Sequence, residues 1–195
     1  MEFFNLAKEQ LPFMGKLLAG LWAFNLINWL VFKSRLNILG IYPRTAFGSL
    51  GIIFSPFLHG DFNHLFFNSI PLFCLGMFIL ALGQNEFIAI TVLIELFSGT
   101  LVWIFGRQYL HIGASGVISG YFGFILGLAY FYPTIISIVL AAVAVYYFGS
   151  IIAGVIPTSD LISWECHLAG LLSGVAVMYL LYFVPGFEFW ILGLF

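Results

Sequence analysis

Ser115 lies in the stretch HIGASGVISGYFG (His111–Gly123), between glycines and at the start of an apolar run of helical length. A serine hydroxyl is a poor nucleophile until a base takes its proton, and neutral histidine is the usual base. The candidate base is His167 in WECHLAG (Trp164–Gly170), which also stands where an apolar run begins. A third run opens with HGDFNHLFFNS (His59–Ser69), where His64 and Asn68 are four residues apart and so share one helix face. Together these residue types could carry out acyl transfer, with Ser115 as nucleophile and His167 as base. Such a reaction also needs donors for a tetrahedral oxyanion. The backbone around Ser115 and Gly113, the Asn68 amide and an N–H of His64 are the candidates. Gly113 and Gly116 leave that backbone uncrowded, and the positive end of a helix dipole favours an oxyanion there.

The elements that must position these groups are membrane helices. The chain is 63% hydrophobic and only 7% charged, against about 45–50% and roughly 25% in a soluble domain. A solvated surface all round is excluded, and the 24 phenylalanines and five tryptophans suit lipid contact and interfacial anchoring. Continuous rather than alternating apolar runs predict helices, not barrel strands. The expectation is an all-α, polytopic membrane protein of one domain spanning residues 1–195, with helices at 17–32, 65–82, 87–105, 115–132, 135–156 and 168–184. The longest gap, Asn37–His64, contains the apolar segment AFGSLGIIFSPFL, too short to span and better suited to a partly embedded first loop. The tail Phe187–Phe195 is shorter still, and could lie at the interface or begin a further helix.

Six spans place the starts of the second, fourth and sixth on one face of the membrane. His64, Asn68, Ser115 and His167 then share one depth. Gly116, Gly120, Gly123 and Gly127 in the fourth span, and Gly170 and Gly174 in the sixth, form small-residue faces that let two backbones approach closely. That approach would bring His167 within reach of Ser115.

Other polar residues are assigned plainer roles. Asp61 or Asn63 can cap the second span. His59 and His111 lie near the site and can hold water or loops. Glu95 is a lone acid in the third span, suited to a structural hydrogen bond. Asp160 and Glu165 are near His167 in sequence, but Glu165 is two residues before it on a helix start and points elsewhere, which predicts a dyad without a carboxylate. Cys74 and Cys166 read as packed thiols rather than a disulfide. No H-E-x-x-H pattern or other metal spacing is present, and no basic run suggests nucleic acid. The N-terminus lacks the pattern of a removed signal peptide. The few lysines and arginines, taken alone, favour an external N-terminus.

These motifs resemble the rhomboid family of intramembrane serine proteases. The resemblance runs through HGDFNHLFFN, GASG and HLAG, in order and spacing, from about Ile41 to Tyr182. It implies Ser115 as nucleophile, His167 as base, and His64 with Asn68 in support of the oxyanion, with no metal or cofactor. It further implies a cytoplasmic N-terminus in the cell (plasma or inner) membrane, a site opening outward, and single transmembrane segments of other proteins as substrates. Two departures stand out. Arg44 in the first loop has no neighbouring tryptophan where many members carry a Trp-Arg pair, and Glu165 and Cys166 precede the histidine where small residues are usual. The rival readings are a catalytically silent relative that binds transmembrane helices, and a small transporter with Glu95 and the histidines along its path.

Overall fold

In lipid, every backbone polar group must be satisfied within the protein, so apolar runs of this length fold as helices. The computed structural model describes residues 2–156 and 163–184, with side chains from Lys8 onward. The helices are α1 (Glu2–Leu30), the short α2 (Gly51–Phe54), α3 (Phe62–Leu80), α4 (Gln84–Phe105), α5 (Ser115–Phe131), α6 (Ile135–Phe148), the short α7 (Ser150–Ala153) and α8 (Trp164–Phe183). Among the described residues there is no strand, only an isolated antiparallel bridge between Ile41 and His111. The helices α3, α4 and α8 are long and apolar enough to cross a membrane, whereas α5 and α6 are shorter apolar helices. The turn sequence Pro157–Asp160 and the apolar tail, together with Asp160 as a candidate orienting group, lie outside the described residues.

Two of the helices start at side-chain caps that the sequence supplies. Asp61 caps α3, its Oδ1 accepting from the His64 amide at 2.9 Å. Thr134 and Ser137 form a reciprocal capping box on α6 after Pro133. The span expected over 135–156 is divided: Gly149 separates α6 from the single turn of α7. The first helix also begins far earlier than the expected residue 17: the good helix formers Leu6–Leu11 extend it, and it continues through Pro12. It ends where Asn28 turns the chain, accepting from the Leu36 amide and donating to Asn37.

The helix α5 sits at the centre, with every residue from Val117 to Ile125 buried. It is surrounded by α3, α4, α6 and α8, and its contact with α8 is the most extensive in the molecule. Tyr121, Phe122 and Phe124 are almost wholly enclosed and join Leu65, Leu75, Ile94 and Val177 in one core. The Tyr121 hydroxyl, which would be costly there unpaired, meets Thr91 Oγ1 at 2.6 Å.

The first loop is folded against α4 as 3-10 turns around α2. Gly51 packs on the Gly40–Ile41 backbone, and Gly99 of α4 lies against Ile52. Arg44, in a left-handed conformation, donates through Nη1 to the Ile104 and Gly106 carbonyls at 3.0 and 2.8 Å, closing the end of α4. Trp103 donates from Nε1 to the Thr45 carbonyl at 2.9 Å. The arginine without a neighbouring tryptophan in sequence therefore has one in space, supplied by α4.

Candidate active site

The beginnings of α3, α5 and α8 come together at one end of the bundle. Glycine contacts hold α5 and α8 at backbone distance. The positions where a Cβ would grow from Gly170 and Gly174 are occupied by the Gly116 and Gly120 carbonyl groups, and that of Gly123 by the Leu171 carbonyl. Gly127 lies against Met178 lower on the same seam. The small-residue faces of α5 and α8 thus meet each other along this seam.

Gly116 faces the Cys166 carbonyl, 3.7 Å from where its Cβ would stand. Their chain neighbours Ser115 and His167 occupy the same layer, both only partly buried. No Ser115–His167 hydrogen bond is formed in this state, and the buried His167 Nδ1 is without a hydrogen-bond partner. The Ile151 carbonyl of α7 is the main-chain group beside that imidazole. Dyads without substrate are often open in this way and tighten only around the reacting group.

Gly113 carries φ of +113°, a conformation L side chains rarely adopt. Its amide donates to the Ser55 carbonyl at 2.9 Å, tying the turn to the first loop. From the open side of Gly113, His64 Nε2 and Asn68 Nδ2 approach to 2.6 and 3.3 Å of where a Cβ would be. Both groups therefore converge on the turn that delivers Ser115. The first N–H groups of α5 follow immediately, and a helix start has no internal carbonyl for them. Donors from a histidine, an amide and a helix terminus thus face one small region.

His59, placed near the site from sequence as a holder of water or loops, proves central to the geometry. It is fully buried, and its Nε2 accepts from Asn68 Nδ2 at 3.1 Å. Its amide donates to Asn25 Oδ1, and its carbonyl receives Trp29 Nε1 at 2.9 Å. Burial holds the imidazole neutral, with a pKa lowered to about 3. A neutral ring can accept the Asn68 proton and so set the rotation of that amide. His111 joins three segments: its backbone pairs with Ile41, Nδ1 meets Ser163 Oγ at 2.6 Å, and Nε2 meets the Arg107 carbonyl at 3.0 Å. Burial lowers its pKa as well.

Glu165 does point away from His167, as its spacing required, and it engages Arg107 in an ion pair. Sequence reading left Arg107 without a role, because its partner is far along the chain. Gly154 was also missed; it lies directly against the His167 ring. Glu95 faces the bundle, where the Ser55 hydroxyl donates to its Oε1 at 3.5 Å. Cys74 and Cys166 are free thiols. A cavity of about 820 Å³ opens between α1 and the first loop. It reaches Ala114 and Val117 from behind, and none of Ser115, His167, His64 or Asn68 lines it.

A family model described as "Rhomboid domain" matches residues 47–183. Uncharacterized proteins of Mycobacterium tuberculosis and Mycobacterium bovis are 36% identical over 157 residues, covering 76% of this chain and 65% of each relative. One from Mycobacterium leprae is 35% identical over 140 residues, covering 67% of this chain and 55% of its own length. The chain therefore spans somewhat less than two thirds of the length of these relatives.

Proposed function

The chain belongs to the rhomboid family, and from that premise we propose that it is a six-span intramembrane serine protease acting through a Ser115–His167 dyad. The observation that carries the proposal is the convergence of His64 Nε2 and Asn68 Nδ2 on Gly113, two residues before Ser115. A packing serine has no use for two outside donors aimed at its turn, whereas an oxyanion does.

In the proposed reaction His167 takes the Ser115 proton while Oγ attacks the carbonyl carbon of the scissile peptide. The negative oxygen that develops is met by the Asn68 amide, the His64 ring and the first N–H groups of α5. Collapse of this intermediate breaks the C–N bond, and His167 returns the proton to the leaving amine. Water, deprotonated by the same histidine, then hydrolyses the acyl-enzyme and restores Ser115. No metal or cofactor takes part. Positioning and charge stabilisation supply the acceleration, and loss of one oxyanion donor typically costs about 2.7–4 kcal/mol.

The substrates proposed are transmembrane segments of other membrane proteins. The N-terminus is assigned to the cytoplasm, with the site opening to the outer side of the cell membrane and the first loop partly embedded in lipid. The outward apolar side chains of that loop, Phe47, Ile53 and Phe57, support the last point. A fluorophosphonate probe tests the nucleophile directly. Detergent-solubilised protein should be labelled at Ser115, and Ser115→Ala should not. Equal labelling of the two would overturn the protease reading and leave a helix-binding role that cleaves nothing.

A further inference from the structure

The glycine seam fixes how closely α5 and α8 approach, but a smooth glycine face has few side-chain ridges to fix axial register or rotation. Register at the reactive end must come from another contact, and the strongest polar one there is between Arg107 and Glu165. Arg107 lies in the loop from α4 to the Ser115 turn, and Glu165 in the first turn of α8, two residues before His167.

The contact is built as a clamp. Arg107 Nε meets Glu165 Oε1 in the ion pair, and Nη2 donates to Oε2 at 3.2 Å. The Arg107 amide donates to Oε1 at 3.3 Å, and the Tyr109 hydroxyl donates to Oε2, also at 3.3 Å. The carboxylate is 7% exposed and accepts from a forked guanidinium, a main-chain amide and a phenol. The guanidinium carbon stands 5.0 Å from the Tyr109 ring centre and 6.0 Å from that of Trp164. A second strut runs beside the first: His111 Nδ1 to Ser163 Oγ, and that hydroxyl to Cys166 Sγ at 2.9 Å. The same loop is fixed to the first loop by the Ile41–His111 bridge and by Gly113.

We propose that the Arg107–Glu165 pair is a positioning device that holds the base-bearing turn of α8 in register with the nucleophile-bearing turn of α5. This rests on the protease reading, and deepens it. Neither residue touches the reacting atoms; both act through His167. A forked, two-point contact resists rotation as well as separation, which a single hydrogen bond does not. Geometric error of about 1 Å at reacting groups can cost on the order of 10²-fold in rate.

The test uses the full chain carrying Cys74→Ala, which leaves Cys166, the neighbour of Glu165 in the first turn of α8, as its single thiol. Glu165→Gln, Arg107→Gln and Arg107→Lys are compared with the parent in two measurements. Cleavage of a transmembrane substrate, normalised to the folded fraction, should show kcat lowered roughly 10- to 100-fold with KM within about twofold. Arg107→Lys, which keeps the charge but loses the fork, should fall between parent and Arg107→Gln. Alkylation of Cys166 by a small maleimide should be at least about tenfold faster in the glutamine variants, because the turn that shelters it is released. Parent-level kcat, or a parent-level alkylation rate, in both glutamine variants overturns the proposal. If either glutamine variant fails to fold, Arg107→Lys decides by the same two measurements. Should the parent itself cleave nothing, the protease reading falls, and an alkylation rate that still rises separates that failure from failure of the clamp.

Discussion

Gly154 lies against the imidazole of His167: a Cβ built on it would stand 2.8 Å from Cε1 and closer still to Nδ1, with the Ile151 carbonyl 3.1 Å away. The ring is thus seated on a bare backbone, and its position is set partly by the absence of a side chain opposite. Gly154→Ala should push the imidazole out of line with Ser115 and lower kcat by at least about tenfold, with the helices intact. Gly60→Ala is the control, since nothing lies within 4 Å of its Cβ position. Substrate cleavage by the two purified variants measures this, and equal rates would remove Gly154 from the positioning of the base.

The crowded seam between α5 and α8 and the open face of α1 give predictions of opposite sign for two glycines. At Gly174 a Cβ would stand 2.7 Å from the Phe124 nitrogen and 2.8 Å from the Gly120 carbonyl carbon, both backbone atoms that cannot rotate away. Gly174→Ala should therefore destabilise the fold by about 1–3 kcal/mol, as overpacking does elsewhere. At Gly20 in α1 the Cβ position is empty. Gly20→Ala should be neutral or stabilising by up to about 1 kcal/mol, through helix propensity. Unfolding of both proteins in mixed micelles checks the pair, and a Gly174→Ala midpoint equal to that of the parent would refute close backbone packing.

His59 predicts how stability depends on pH. Its folded pKa lies near 3, below the roughly 6.5 of an unfolded histidine. Above that unfolded value both states are neutral and the group contributes no slope. As pH falls from about 6.5 toward 3 the unfolded chain takes up a proton that the folded chain refuses, so stability is lost across that window. His111, also lowered by burial, acts in the same direction. Replacing His59 by Gln should reduce the slope of unfolding free energy against pH by up to about 1.4 kcal/mol per unit near pH 5. Parallel curves for the variant and the parent would mean that His59 is charged or exposed in the folded protein.

What could be read from the sequence follows the range of each signal. The pairing of His64 with Asn68 and the glycine ladders were legible because helical periodicity turns a spacing of four into a shared face. Counting spans placed Ser115 and His167 at one depth, and the structure brings their chain neighbours Gly116 and Cys166 together. Asp61 as a cap was local chemistry. The Arg107–Glu165 pair was not legible: 58 residues separate the partners, and no periodicity links a loop to a helix start. Spacing told correctly that Glu165 avoids His167, yet it could not say what Glu165 meets instead. His59 was placed near the site but given no partner, because it precedes the helix, and only the packed loop reveals its bond to Asn68. The division of the 135–156 run at Gly149 was missed because overall hydrophobicity reports burial or lipid contact rather than helix continuity, although the Gly149–Ser150 pair marks the break.

Asn68 offers the sharpest test of the oxyanion assignment, because its two amide hydrogens have different destinations. One is held by His59 Nε2 at 3.1 Å, and that bond turns the nitrogen toward Gly113. The other is free to meet charge developing beside Ser115. Asn68→Ala should lower kcat by roughly 10²–10³ while KM changes little, because the donor acts on the transition state and not on the bound substrate. Asn68→Asp should be worse still, since it sets an acceptor of negative charge where a donor is needed. His59→Gln should have a smaller effect than either, because it loosens the amide without removing it. The order Asn68→Asp, Asn68→Ala, His59→Gln, from slowest to fastest, is therefore the expected outcome of kcat measurements on one transmembrane substrate. An Asn68→Ala rate equal to that of the parent would assign the amide to packing alone, and the oxyanion to His64 and the backbone of α5.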